Sequence, residues 1–196
     1  MTTAERQRPT TTVDEWLREP AEKRYELIDG DLIEKAAPDF SHGSAQAGLI
    51  AHLHPWFHQR DGGDRPGGWW IASEVDVVLD DNGFRPDIAG WRRERVPEMP
   101  KTRPVRVRPD WICEIVSESN ATTDTIKKLR RYHQAGVPHY WLLDPATRTL
   151  AVYRHAAEGY QSVLVAEAGE TARAEPFEAI ELRIAALFGD ERGDET

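Results

Sequence analysis

The chain has 196 residues, of which 39% are hydrophobic and 30% charged, values typical of one globular domain that buries its own core. Its formal net charge of -9 argues against indiscriminate coating of polyanions. Its single cysteine, Cys113, excludes intrachain disulfides and zinc sites built from several thiolates.

The domain organisation that we expect is simple. Residues 1–10 look like a loose N-terminal segment, residues 11–189 like a single domain, and residues 190–196 like an acidic tail. The N-terminus lacks the apolar core of a signal peptide, and no apolar run approaches the roughly 18 residues of a membrane span. We therefore expect a soluble, cytoplasmic protein with no membrane partner.

The first third of the chain predicts a short helix, a hairpin and a longer helix. Thr12 can cap the first helix, and Glu15 completes a capping box. The segment RYELIDGDLIEKAA alternates in polarity around Asp29-Gly30, which is typical of a β-hairpin. Residues 41–60 predict a helix with an apolar face, which Pro55 should end or kink.

Strand patterns dominate the middle and the end of the chain. GWWIASEVDVVL and FRPDIAGW predict two strands joined by the turn DDNG, and PDWICEIV predicts a strand buried on both faces. Residues 122–135 predict a helix with Ile126, Leu129 and Tyr132 directed inward. Three further strands follow, so the fold class that we expect is α/β (α+β), with a mixed central sheet flanked by helices.

Glu114 is the most informative residue, because its carboxylate lies within the apolar run WICEIV. A buried carboxylate must pair with a cation, bind a metal or take up a proton. A buried salt bridge to a neighbouring arginine explains Glu114 equally well. Asp87, in RPDIAGW, is either a turn-capping aspartate or a second carboxylate that shares Mg²⁺ or Mn²⁺ with Glu114.

Lys128 lies on the helix that follows the Glu114 strand. It could form an exposed pair with Asp124, or it could lean over the strand end that holds Glu114. Residues 92–108 carry seven basic and two acidic side chains, a run that is either a solvated loop or a guide for a phosphate backbone. His54 and His58 have helical spacing, but without an HExxH motif they favour a surface role over zinc binding.

The order of these motifs resembles the Uma-type putative restriction endonuclease family of the PD-(D/E)XK, or restriction-endonuclease-like, superfamily. The resemblance spans about residues 12–188 and rests on RYELIDGDLI, RPDIAGW, WICEIVSESN and DTIKKLRRYHQAGVPHYWLLDP. It implies a nuclease in which Asp87 and Glu114 bind Mg²⁺ (or Mn²⁺). Val116 stands where the superfamily pattern has a lysine, so the resemblance implies that Lys128 supplies the basic group.

The resemblance also marks Glu26, as an additional metal ligand or a residue that orients a water, and His42 more weakly. With Arg103 and Arg106 of the basic segment, His42 is a candidate for substrate binding. Ser117-Glu118-Ser119 departs from the usual family loop after the strand.

These residues together predict a metal-dependent endonuclease that hydrolyses phosphodiester bonds of nucleic acid, with DNA as the expected substrate. The alternative is a non-catalytic nucleic-acid-binding or assembly module on the same fold, which the acidic net charge favours. A phosphoesterase that acts on small molecules is a third hypothesis. A glycosidase could also use two carboxylates, but it would leave Lys128 without a role. A homodimer is compatible with the sequence.

Overall fold

The computed structural model of the chain describes residues 10–59, 64–117 and 123–190. Apart from Thr10 and Asp190, the predicted N-terminal segment and acidic tail lie outside the described residues. Four α-helices are present in the described part: α1 Val13–Trp16, α2 Phe40–Phe57, α3 Thr123–Gln134 and α4 Ile184–Leu187. The first seven strands are β1 Tyr25–Ile28, β2 Asp31–Glu34, β3 Trp69–Ser73, β4 Val77–Leu79, β5 Asn82–Phe84, β6 Ile88–Arg92 and β7 Trp111–Ile115. The remaining strands are β8 His139–Asp144, β9 Thr149–Ala156, β10 Gly159–Glu167, β11 Thr171–Ala172 and β12 Leu182–Arg183.

The centre of the molecule is a six-stranded mixed sheet in the order β10-β9-β8-β7-β6-β3. Strands β7 and β8 are parallel, and the other pairs of this sheet are antiparallel. The parallel pair needs a crossover connection, which α3 provides between its two strands. A smaller antiparallel sheet has the order β2-β1-β5-β4, and β11 pairs with β12.

The central sheet is covered on both faces. On one face α2 and α4 pack on side chains such as Trp111 and Trp141, forming the larger hydrophobic cluster. On the other face α3 and the smaller sheet enclose a second cluster that includes Phe84, Ile112 and Tyr132. Because strand side chains alternate between faces, β7 contributes Ile112 and Glu114 to the α3 side and its odd-numbered residues to the α2 side.

Several elements match their sequence patterns. The capping box of Thr12 and Glu15 is present at α1, and the hairpin turns at Asp29 and Gly30, both with positive φ. α3 is followed by Gly136 at φ 71°, the left-handed residue that favours glycine after a helix. Pro55 lies inside α2, in its last turn, rather than ending it.

The region from Trp69 to Arg92 differs from the prediction of two strands. It forms four strands, because β3 ends at Ser73, the next residue, Glu74, has φ 54°, and the chain then leaves the central sheet. Strands β4 and β5 pair with each other in the smaller sheet, and β6 returns to pair with β3. A left-handed residue at a glutamate carries no sequence signal, which is why the break was not predicted.

The prediction that Ile126 faces inward is wrong, because this side chain is 52% exposed. The inward face of α3 instead carries Lys128 and Tyr132, which are four residues apart and lie one turn from each other. Leu129 is half-buried beside them. The inward face of α3 therefore includes a buried lysine, Lys128, and leaves out Ile126, which hydrophobic periodicity assigned to it.

The observed architecture confirms the expected fold class, a mixed α+β fold with a central mixed sheet. Among the described residues, no helix combines the length and the apolar character needed to cross a membrane.

Candidate active site

Asp87 and Glu114 face each other across two paired strands. Antiparallel pairing of β6 with β7 sets Ile88 opposite Cys113, so the next position sets Asp87 opposite Glu114. Both side chains lie on the face toward α3. The backbone N–H of Ile115 donates to Oδ2 of Asp87 over 2.6 Å, which fixes the aspartate against the end of β7.

Asp87 is 1% exposed and surrounded by hydrogen-bond donors. Its Oδ1 lies 2.7 Å from Nζ of Lys35 and 3.0 Å from Nε2 of His42, and its backbone carbonyl accepts from Gln46. Burial by itself would raise the pKa of Asp87, but the His42 hydrogen bond and the Lys35 charge hold it well below its usual range. The aspartate is therefore ionised at neutral pH.

The pKa of Glu114 is shifted in the opposite direction to that of Asp87. Burial raises the pKa of Glu114 to about 7, although the nearby Lys128 ammonium favours the charged form. Its Oε1 accepts a 2.6 Å hydrogen bond from the Tyr132 hydroxyl and lies 3.5 Å from Nζ of Lys128. Burial also raises the pKa of Tyr132 well above its usual value, which keeps this hydroxyl a donor. The other carboxylate oxygen of Glu114, Oε2, has no hydrogen-bond partner within the described part of the chain.

Lys128 is buried between two carboxylates. Its Nζ lies 2.7 Å from Oε2 of Glu26, and Glu26 is fully buried with Oε1 bound to the backbone N–H of Arg85 over 2.8 Å. Glu26 contacts Lys128 but is not itself among the residues that line the cavity described below. Glu26 is thus the counter-ion of Lys128, and its role as a metal ligand stays a prediction.

Two charged residues that sequence patterns did not identify complete the site. Lys35 follows β2, and Glu74 follows β3 where the chain leaves the central sheet. The Lys35 ammonium contacts the carboxylates of Asp87 and Glu74, and Glu74 also pairs with Arg24. Burial opposes charge on Lys35, but the carboxylates of Asp87 and Glu114 outweigh it and raise the pKa of Lys35.

These groups surround a cavity of about 50 Å³. Its charged and titratable lining consists of Lys35, His42, Asp87, Glu114, Lys128 and Tyr140. A hard divalent ion prefers carboxylate oxygens and retains several waters, and a cavity of this volume has room for an ion with part of its water shell. The free Oε2 of Glu114 and the singly bonded Oδ2 of Asp87 are donors of the required kind, so the residues present fit such an ion.

The remaining sequence candidates lie elsewhere. The guanidinium of Arg103 bonds to Asp76 over 2.5 Å, and neither Arg103 nor Arg106 lines the cavity. The rings of His54 and His58 stack, and His58 accepts the backbone N–H of Ile71, so this pair contributes to packing. Ser117 lines the cavity, whereas Glu118 and Ser119 lie outside the described residues.

Comparisons with known proteins agree with this architecture. A crystal structure described as "a putative nuclease belonging to DUF820 from Anabaena variabilis ATCC 29413" is similar over 90% of this chain and 97% of its own, with a TM-score of 0.76 at 24% sequence identity. This likeness shows that the two proteins share a fold. A search of curated proteins finds no match. The model of the family Uma2, described as "Putative restriction endonuclease", matches residues 11–186, and the chain therefore belongs to the Uma2 family.

Proposed function

We propose that this protein is a metal-dependent endonuclease that hydrolyses phosphodiester bonds of nucleic acid, with DNA as its substrate. The observation that carries the proposal is the meeting of Asp87, Glu114 and Lys128 at one cavity. Two carboxylates on paired strands beside a buried lysine supply both a site for a divalent ion and a fixed positive charge. The family description, "Putative restriction endonuclease", supports nuclease activity in general.

Oδ2 of Asp87 and Oε2 of Glu114 are the atoms that would hold Mg²⁺ or Mn²⁺. When bound, the ion would polarise a phosphoryl oxygen and lower the pKa of a coordinated water. Tyr132 restrains Glu114, because its hydroxyl donates to Oε1 and leaves Oε2 for the ion. His42 restrains Asp87 at Oδ1, and the Ile115 N–H restrains it at Oδ2, which keeps a second lone-pair direction for the ion.

Lys128 provides the charge that the reaction requires. Its ammonium lies near Glu114 and lines the cavity, where it can orient the attacking water or stabilise the negative charge that develops on the phosphoryl group. Glu26 pairs with Lys128 and holds its ammonium group in place through the 2.7 Å contact. In this proposal Glu26 acts through Lys128 and not as a ligand of the ion.

A nucleic acid bound at the cavity could also contact exposed side chains on the elements that contribute to its lining. Lys127 and Arg130 are exposed on α3, the helix that carries Lys128, and are three residues apart on neighbouring turns. Phe40 is 91% exposed and lies between Pro38 and His42, which both line the cavity. Exposed cations can contact phosphates and an exposed aromatic ring can contact a base.

The decisive experiment titrates Mn²⁺ into the wild type and into the variants Asp87→Asn and Glu114→Gln, with calorimetry as the readout. We expect saturable binding in the wild type and at least about 10-fold weaker binding in either variant, since each loses a ligand charge. Cleavage of supercoiled DNA should fall in parallel. Asp81→Asn, which removes an exposed carboxylate from the β4–β5 turn, serves as the control and should bind Mn²⁺ like the wild type.

Thermal unfolding without metal shows whether each variant is folded. Unchanged Mn²⁺ affinity in both folded site variants would overturn the assignment of the ligands. A wild type that binds DNA but neither binds Mn²⁺ nor cleaves would instead identify a non-catalytic nucleic-acid-binding module.

A further inference from the structure

Lys35 occupies a position that is built for a cation. Its Nζ lies 2.7 Å from Oδ1 of Asp87, 2.7 Å from the carbonyl oxygen of Arg85, and 3.3 Å from both carboxylate oxygens of Glu74. An ammonium group has three N–H donors and no acceptor, so these three neighbours account for all of its donors. The side chain is 9% exposed, which makes this a buried cation enclosed by oxygen atoms.

The oxygens around Lys35 belong to a group that could also hold a metal ion. One ligand atom from each of His42, Glu74 and Asp87 lies within 4.8 Å of the other two. Glu74 and Asp87 are the two carboxylates that Lys35 contacts. The ammonium therefore sits where the negative charge of this group is concentrated, and an ion bound by the same atoms would compete with it.

The number of lone pairs on Asp87 separates this position from the metal site proposed above. Oδ1 already receives Lys35 and His42, and one carboxylate oxygen offers about two lone-pair directions. Oδ2 receives only the Ile115 N–H and keeps one direction open. An ion shared with Glu114 can therefore use Oδ2 while Lys35 remains on Oδ1.

We propose that Lys35 is a resident cation that fills a second cation position beside Asp87 and so limits this site to a single metal ion. In this proposal it is a positioning residue, since it acts on Asp87. This inference deepens the proposed function, because it assigns a role beside the metal-binding aspartate. It also makes a separate claim, that removing the ammonium opens a new ion site formed by His42, Glu74 and Asp87.

The test compares Mn²⁺ stoichiometry in the wild type and in Lys35→Ala by calorimetry on the full chain. We expect Lys35→Ala to bind one more Mn²⁺ per chain than the wild type. Lys35→Ala combined with Glu74→Gln should lose the additional ion, because Glu74 is one of its ligands. Glu74→Gln alone should leave the affinity of the wild-type ion within about 3-fold.

Two further variants control for charge and folding. Lys127→Ala removes an exposed lysine of α3 and should keep the wild-type stoichiometry, which separates a local site from a general loss of positive charge. Lys35→Gln retains most of the side chain's length, so it provides a second neutral variant if the alanine variant does not fold. It should also gain one ion.

Each outcome decides the inference independently of the proposed function. Equal stoichiometry in the wild type and in folded Lys35 variants overturns it, as does a loss of the wild-type ion in Glu74→Gln, which would mean that metal displaces Lys35. If the wild type binds no Mn²⁺ but Lys35→Ala binds one through Glu74, the inference stands while the proposed metal-dependent function fails.

Discussion

Glu114 has a protonation equilibrium that should be measurable in the stability of the metal-free protein. Burial raises the pKa of this carboxyl to about 7 from an ordinary value of 4.5. The folded state therefore binds the proton more tightly than the unfolded state does. The resulting stabilisation is complete below pH 4.5 and is lost as the pH rises through 7.

We expect the free energy of unfolding of the wild type to fall between pH 5 and pH 8 by about 2 kcal/mol more than that of Glu114→Gln. The measurement is urea denaturation of both proteins in a chelator across this range. Asp87 does not affect the comparison, because its lowered pKa leaves it ionised throughout. Parallel pH profiles for the two proteins would show that Glu114 is already charged at pH 5 in the folded state.

Which residues of the site could be predicted depends on how unusual each one is in its own sequence context. Glu114 interrupts an apolar strand, which marks it without any knowledge of its neighbours. Lys35 and Glu74 stand in stretches where polar and apolar residues alternate or mix, and a charged residue in such a stretch is usually solvated. Both residues approach Asp87 because of the path of the chain after β2 and after β3, and neither path has a sequence signature.

At the scale of elements, α2 provides a matched pair of glycines that tests how tightly it is docked. A Cβ at Gly48 would lie 2.7 Å from the carbonyl oxygen of Leu187 in α4, whereas a Cβ at Gly43 would meet nothing within 4 Å. Gly48→Ala should therefore destabilise the protein by about 1–3 kcal/mol through overpacking. Gly43→Ala should stabilise it by about 0.5–1 kcal/mol, since glycine is unfavourable within a helix.

Chemical denaturation of both variants checks this prediction. If Gly48→Ala were as stable as Gly43→Ala, α4 would not be held against α2 as described. Activity should be unaffected by a stable Gly48 variant, because the contact lies on the face of α2 that meets α4 and involves no residue of the cavity.

Elements with local signals were predictable, and the association of those elements was less so. The hairpin at Asp29 and Gly30 and the capping box at Thr12 depend on residues close in sequence. The division of residues 69–92 between two sheets depends on one left-handed glutamate and on a partner strand, β1, that comes more than 40 residues earlier. The inward lysine of α3 likewise depends on Glu26 from the smaller sheet.

At the scale of the whole molecule, a net charge of -9 opposes approach to DNA, so the proposed binding of DNA must depend on local basic surfaces. Two basic surfaces are candidates for this contact with DNA. One consists of the exposed Lys127 and Arg130 on α3, the helix that also carries the cavity residue Lys128. The other consists of the exposed Lys101 and Arg106 in the connection between β6 and β7, which does not line the cavity.

The variants Lys127→Ala/Arg130→Ala and Lys101→Ala/Arg106→Ala each lose two positive charges, so their long-range effects on DNA are matched. We expect the α3 variant to reduce the slope of log affinity against log salt by about 1–2, because each phosphate contact contributes about 0.9 to the slope. The other variant should keep the wild-type slope. Fluorescence anisotropy with a short DNA duplex between 50 and 200 mM salt, without divalent metal, measures both. The reverse result would place the DNA on a surface that does not include the cavity, and Asp87 and Glu114 would then have no access to a phosphodiester bond.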